Sequence, residues 1–158
     1  DGADEIDFTI DYSTDISSDL GVSVGVIYYA YPNAGDDNTS ELYLGASYAA
    51  PGSPSLTVYY DNEFVDGSNE GSGLYISLAG GHAVPVGNLS IDLGASLGFG
   101  AKNDVHALQD LNLSASTSMP VGSLNVSPFV VGTYIIEDTV NPKDSFEIYG
   151  GVSIGLGF

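Results

Sequence analysis

The carboxylates Asp7, Asp11, Glu41, Asp61, Asp92, Asp110 and Glu147 stand among small polar residues and tyrosines, each with an apolar or aromatic residue on at least one side. In an extended chain alternate side chains share a face, so this spacing gathers the acids on one surface. A wall of that kind attracts cations and repels anions. Catalysis lacks its usual machinery. His82 and His106 are the only histidines, and neither belongs to a nucleophile elbow, a His-Glu-x-x-His metal motif or another pattern with a mechanism. His82 reads as an interfacial residue near a rim, no catalytic residue is assigned, and the chain is expected not to be an enzyme.

The tyrosines divide into two sets by the same alternation. Tyr29, Tyr43, Tyr59, Tyr75 and Tyr149 share the acidic face, where they narrow a lumen or offer rings for stacking with sugars or aromatic solutes. Tyr12, Tyr28, Tyr48, Tyr60 and Tyr134 fall on the apolar face near strand ends, the place of an interfacial aromatic girdle. Loop acids at Asp36, Asp37, Asp66 and Glu70 supply hard oxygen ligands suited to weakly bound Ca²⁺, although no EF-hand spacing is present. Beyond that loop-bound Ca²⁺, no cofactor is expected.

Composition sets wider bounds. The chain has 158 residues, no cysteine and a formal charge of −19, which excludes a disulfide framework and makes nucleic acid an implausible partner. Mean hydropathy is +0.13, too apolar for a disordered acidic segment. No eighteen-residue apolar run occurs, so no conventional membrane-spanning helix is expected. The first residues, Asp1-Gly2-Ala3-Asp4-Glu5, are no basic leader, so any export signal is expected to have been removed.

The elements that must position these residues are strands. Ile6, Phe8, Ile10 and Tyr12 alternate with Asp7, Thr9 and Asp11, and comparable alternation returns through Leu20–Tyr28, Leu42–Tyr48, Leu56–Tyr60, Leu74–Leu78, Leu89–Phe99, Leu111–Thr117, Val126–Tyr134 and Phe146–Phe158. About nine strands of about ten residues result, long enough to cross a bilayer at a tilt. Short connections at Ser17–Asp19, Pro51–Pro54, Pro85–Asn88 and Pro120–Ser123 alternate with longer polar ones, and both lysines, Lys102 and Lys143, fall in loops. The near-copy of Pro85-Val86-Gly87-Asn88-Leu89 as Pro120-Val121-Gly122-Ser123-Leu124 suits one hairpin per repeat. The fold class expected is all-β, a single antiparallel up-and-down transmembrane β-barrel domain over residues 1–158; a soluble sandwich or lipocalin-like barrel is the competing fold.

Two stretches carry resemblances. Val152, Ile154 and Leu156 alternate back from a terminal Phe158, and the segment resembles the C-terminal signal by which outer-membrane barrels engage their insertion machinery. Gly25-Val26-Ile27-Tyr28-Tyr29-Ala30-Tyr31-Pro32, the acidic loop after it, Glu41-Leu42-Tyr43-Leu44-Gly45-Ala46-Ser47-Tyr48 and Val58-Tyr59-Tyr60-Asp61 resemble the TorF-type porin family. That resemblance implies a barrel of the Gram-negative outer membrane with about twelve strands. With Phe158 at the periplasmic rim, an odd count starts the first strand at the opposite rim, so either about three N-terminal strands lie beyond this chain or one strand within it is uncounted. The expected function is passive diffusion of small hydrophilic solutes with cation preference, with outer-membrane lipid, the insertion machinery and small solutes or cations as partners and self-association as a further option. The rival is a structural or adhesive surface protein assembling through strand edges.

Overall fold

A computed structural model describes residues 6–32, 38–61, 73–102, 105–137 and 145–156. The elements are β1 (Ile6–Asp15), β2 (Leu20–Ala30), β3 (Thr39–Tyr48), β4 (Ser55–Asp61), β5 (Gly73–Val86), β6 (Leu89–Lys102), β7 (Val105–Thr117), β8 (Met119–Val121), β9 (Leu124–Ile135) and β10 (Phe146–Leu156). Among the described residues there is no helix. From β1 to β7 each strand pairs antiparallel with the next, β7 pairs with β9 and β9 with β10, and β8 prolongs the β7 edge of β9, so nine strands in succession make one sheet. The sheet curls into a half-barrel. Its edges, β1 and β10, each pair with a single neighbour.

Strict alternation explains the two faces. Ile10, Val26, Leu42, Tyr60 and Leu74 form one cross-strand row, and Tyr12, Val24, Leu44, Val58, Ile76, Phe99 and Leu108 form the next. Residues one position away carry Asp, Glu, Ser, Thr, Gly and Tyr to the other face. Burial identifies the inside of the curl: Ile10 and Leu44 are 79% and 62% exposed, whereas Asp110 is 5% exposed and Gly25, Gly45 and Gly98 are buried. Curling toward the polar face crowds it and opens the apolar one. No dry core results, because Ile135 is the single buried hydrophobic among the described residues and no described side chain is wholly enclosed.

The short connections are sharper than the sequence reading drew them. Val86 and Val121 still belong to strands, leaving two-residue turns Gly87-Asn88 and Gly122-Ser123. The first residue of each has a positive φ, 62° and 65°, as hairpin turns of the type II′ class require. Between β3 and β4 the turn reaches sideways: the Gly81 N–H donates to the Gly52 carbonyl at 2.7 Å, filling the ladder that the seven-residue β4 is too short to provide. Gly80 permits this approach, since a Cβ there would lie 2.9 Å from the same carbonyl.

Three features depart from simple alternation. Pro128 has no N–H to donate, and the ladder lapses around it; Ser116 faces Phe129 and Met119 faces Val126, so the register is unchanged across the gap. In β7 the register against β6 shifts between Gly98 and Phe99, leaving Gln109 as an extra residue. This bulge turns both Leu108 and Leu111 outward, and the Gln109 carbonyl accepts from the Ile136 N–H at 2.8 Å. Finally, Lys102 ends β6 rather than standing in a loop, and only residues 103 and 104 separate β6 from β7. The expectation of a long connection fails there because polar Lys-Asn-Asp was read as loop, whereas pairing with Gly73 and Val105 extends the strand. Lys143 lies outside the described residues.

Gly122→Ala should lower stability by about 1–2 kcal/mol, the cost of a left-handed backbone for a residue with Cβ, since nothing lies near enough for a methyl group to strike. Gly155→Ala, also in open space but without a positive φ, should stay within about 0.5 kcal/mol of the parent. Equilibrium urea unfolding of both variants checks the difference.

Candidate functional site: a tyrosine and carboxylate band on the concave face

One cross-strand row assembles the band. Asp11 lies opposite Gly25, Gly25 opposite Tyr43, Tyr43 opposite Tyr59 and Tyr59 opposite Tyr75. The three rings adjoin, with centroids 5.6 and 6.0 Å apart and planes inclined at 42° and 48°. Tyr43 and Tyr75 lean away from Tyr59 in opposite directions. The Tyr43 ring crosses β2 over Gly25 and its hydroxyl donates to Asp11 Oδ2 on β1 at 2.6 Å. The Tyr75 ring crosses β6 over Gly98 and donates to Asp110 on β7, at 2.9 Å to Oδ1 and 3.1 Å to Oδ2. Each is a strap over three strands, tied to a carboxylate by a charge-assisted hydrogen bond.

Glycine makes the straps possible. A Cβ at position 25 would overlap the Tyr43 Cζ and hydroxyl, and one at position 98 would overlap the Tyr75 hydroxyl and ring. With no side chain in the way, each ring lies on bare backbone and covers it. Beyond Asp110 the chain of contacts continues: Asn112 Nδ2 donates to Asp110 Oδ1 at 2.7 Å and to Ser96 Oγ at 3.3 Å, and Thr133 Oγ1 donates to Asn112 Oδ1 at 2.5 Å. Polar and aromatic contacts thus run across the concave face from Asp11 on β1 to Thr133 on β9.

Glu41 and Asp61 face each other one row toward the longer loops. Tyr29 joins this pair by donating its hydroxyl to Glu41 Oε2 at 2.7 Å. Glu41, Tyr59, Tyr75 and Ser77 line a recess of about 220 Å³. Glu41, Asp61, Tyr75 and Gln109 contribute to a neighbouring one, also of about 220 Å³. On the short-turn side a larger concavity of about 380 Å³ is lined by Ser13, Ser23, Ser47, Ser55 and Thr57 among others. Glu41 and Asp61 therefore lie on one side of the band, and on the other hydroxyls predominate with Asp15 among them.

The expected carboxylates all fall on the concave side of the register, but they do not form one ring. Asp11, Glu41, Asp61 and Asp110 gather around the tyrosines. Asp7 stands opposite Tyr29 on the edge strand, Glu147 opposite Thr133, and Asp92 opposite Ser116 near the short-turn rim, 3.5 Å from Ser90 Oγ. Tyr149 stands apart, its ring edge-on to Phe129 at 6.4 Å. The backbone position of Lys102 falls in the row of Glu41 and Asp61, across from Gly73.

Asp15, Asn112 and Thr133 were missed. Asp15 shares parity with Asp7 and Asp11, so alternation carried to the end of β1 finds it; Asn112 and Thr133 are ordinary polar residues until pairing joins them. The Ca²⁺ ligands expected at Asp36, Asp37, Asp66 and Glu70 lie outside the described residues. Among the described residues no group of three or more His, Asp or Glu side chains is arranged to hold a metal ion. Val152, Ile154 and Leu156 are exposed along the apolar side of β10; Phe158 lies outside the described residues.

Gly25→Ala should destabilise by about 1–3 kcal/mol, since the Tyr43 ring has to lift off the strand to admit a methyl group. In the Tyr43→Ala background the same substitution should cost far less. A double-mutant cycle by urea unfolding should return a coupling of at least about 0.5 kcal/mol between the two positions.

Compared with protein-family models, curated proteins and solved structures, the chain finds no match to any of them.

Proposed function

We propose that this chain forms much of the wall of a porin-like β-barrel in the outer membrane of a Gram-negative bacterium, and that it passes small hydrophilic solutes, cations preferentially, without catalysing a reaction. One observation carries the proposal: a nine-strand convex face of large apolar side chains stands open to its surroundings, while the concave face is polar. Phe8, Ile10, Leu44, Leu78, Leu113, Val130, Ile148, Val152 and Ile154 are 46% to 79% exposed. So extensive an apolar surface is untenable for a lone soluble protein. Hydrocarbon accommodates it. Open sheet edges are costly in lipid, so this reading requires further strands to join β1 to β10. A TorF-like barrel of about twelve strands meets that requirement.

The band gives the pore its character. No arginine occurs anywhere in the chain, and Asp11, Glu41, Asp61 and Asp110 gather on the concave face. Their field favours cations. The open edges favour a second reading, a structural or adhesive protein whose copies associate edge to edge: every residue of β1 is exposed, β2 is its one partner among the described strands, and an edge strand is a template for another strand.

Planar bilayers separate the two readings. Discrete channels are expected, with a reversal potential in a KCl gradient on the cation side and a preference strongest in dilute salt, because screening lengths fall from about 30 Å at 0.01 M to about 3 Å at 1 M. Asp61→Asn and Asp92→Asn should each reduce the preference. Folded protein that never opens channels supports the edge-assembly reading instead.

Arg at Leu93, Val130 or Ile154 should destabilise the protein in lipid by about 2–4 kcal/mol near the bilayer midplane, and Asp92→Arg should cost less. Urea unfolding in lipid vesicles measures both; equal costs on the two faces contradict the membrane assignment.

A further inference from the structure

We propose that Tyr43, Tyr59 and Tyr75, with Glu41, Asp61 and Ser77 beside them, form a binding track for neutral oligosaccharides. The inference rests on the porin-like reading, which supplies access to the concave face, and names the solute class of that face.

Preorganisation is the first ground. Tyr43 and Tyr75 are held at both ends, by glycine backbone beneath the ring and by a carboxylate at the hydroxyl, which favours one ring position before a ligand arrives. Fixing the receptor in advance removes an ordering cost from binding. Covering a glycine uses one face of a ring, and the opposite face is turned to the concavity. Tyr59 sits between them within ring-contact distance of both.

The kind of ligand follows from the planes and the neighbours. Successive rings are inclined at 42° and 48°, so one flat aromatic solute can stack on a single tyrosine only. A chain of pyranose units bends at each linkage and sets successive apolar C–H faces against successive rings. Asp11 and Asp110 are engaged by Tyr43 and Tyr75, and the polar partners left to a ligand beside the rings are chiefly acceptors: Glu41 and Asp61 carry carboxylates, which when ionised accept and do not donate. Such surroundings fit a ligand dense in hydroxyl donors. They repel anionic solutes, sugar acids included. The recesses beside Tyr59 and Tyr75, each about 220 Å³, adjoin the rings on the carboxylate side, where a sugar's hydroxyls would be directed.

The probe is maltohexaose, added to channels in planar bilayers and titrated by calorimetry against the folded protein in detergent. Concentration-dependent interruption of the current and saturable heat are expected. Tyr59→Ala, which leaves both straps in place, should weaken maltohexaose affinity about tenfold, in keeping with loss of one ring contact; Tyr59→Phe should retain it. Circular dichroism confirms the fold of each variant, and Tyr59→Leu replaces the alanine variant if that one fails to fold. Open channels that maltohexaose neither blocks nor binds overturn the track while leaving the pore reading intact. Saturable binding without channels retains the track as a site and overturns the pore reading. Equal block by tetragalacturonate, or by p-nitrophenol alone, overturns the assignment to neutral sugars.

Discussion

The strands of the main sheet have two unlike faces, and among the described residues no second layer buries the apolar one. That constraint governs the rest of the architecture. A sandwich covers such a face with another sheet. Here the sheet curls the other way, placing glycine, serine, threonine, tyrosine and carboxylates inside and leaving Leu44, Ile10 and Ile154 outside. A fold without a dry core draws its stability from the continuous backbone ladder and from apolar surroundings. On the function proposed above, lipid supplies surroundings of that kind, and the polar concavity is then wet or occupied.

A wet interior deprives the strands of close apolar packing on one side, and the tyrosine straps compensate. Each strap combines dispersion against glycine backbone with a charge-assisted hydrogen bond two strands away. Tyr43 reaches β1, Tyr75 reaches β7 and Tyr59 on β4 touches both rings, so the three tyrosines tie seven consecutive strands together. The Asn112 and Thr133 contacts extend the tie to β9. Structure and proposed function share these residues: rings immobilised for stability are also rings preorganised for stacking. At the other end of the curl Tyr149 and Phe129 pack on each other, and the face there is less acidic.

Strand positions were legible because a period of two is written directly in stretches such as Ile6–Tyr12 and Leu89–Phe99. The facing of Asp7, Asp11 and Glu41 followed from the same parity. What one strand cannot show is its register against the next. Nothing in the local sequence says that Gly25 lies under Tyr43, or that Gly98 lies under Tyr75, since each pairing depends on turn geometry tens of residues away. The extra residue Gln109 was invisible for a related reason: Leu108 and Leu111 break alternation, and only pairing against Gly98 and Phe99 identifies a bulge. Lys102 was misplaced because polarity was taken for loop, although a strand's last turn-facing residue is commonly polar.

The central claim is that the convex face meets hydrocarbon and the concave face meets water. With no cysteine in the chain, single cysteines carrying nitroxide labels report each position separately. Labels at Leu44, Leu93 and Ile154 in lipid vesicles should relax strongly with oxygen and weakly with a water-soluble nickel complex, and labels at Thr57, Asp92 and Ser153 should do the reverse. Convex labels shielded from oxygen, or equal accessibility on the two faces, would contradict the account.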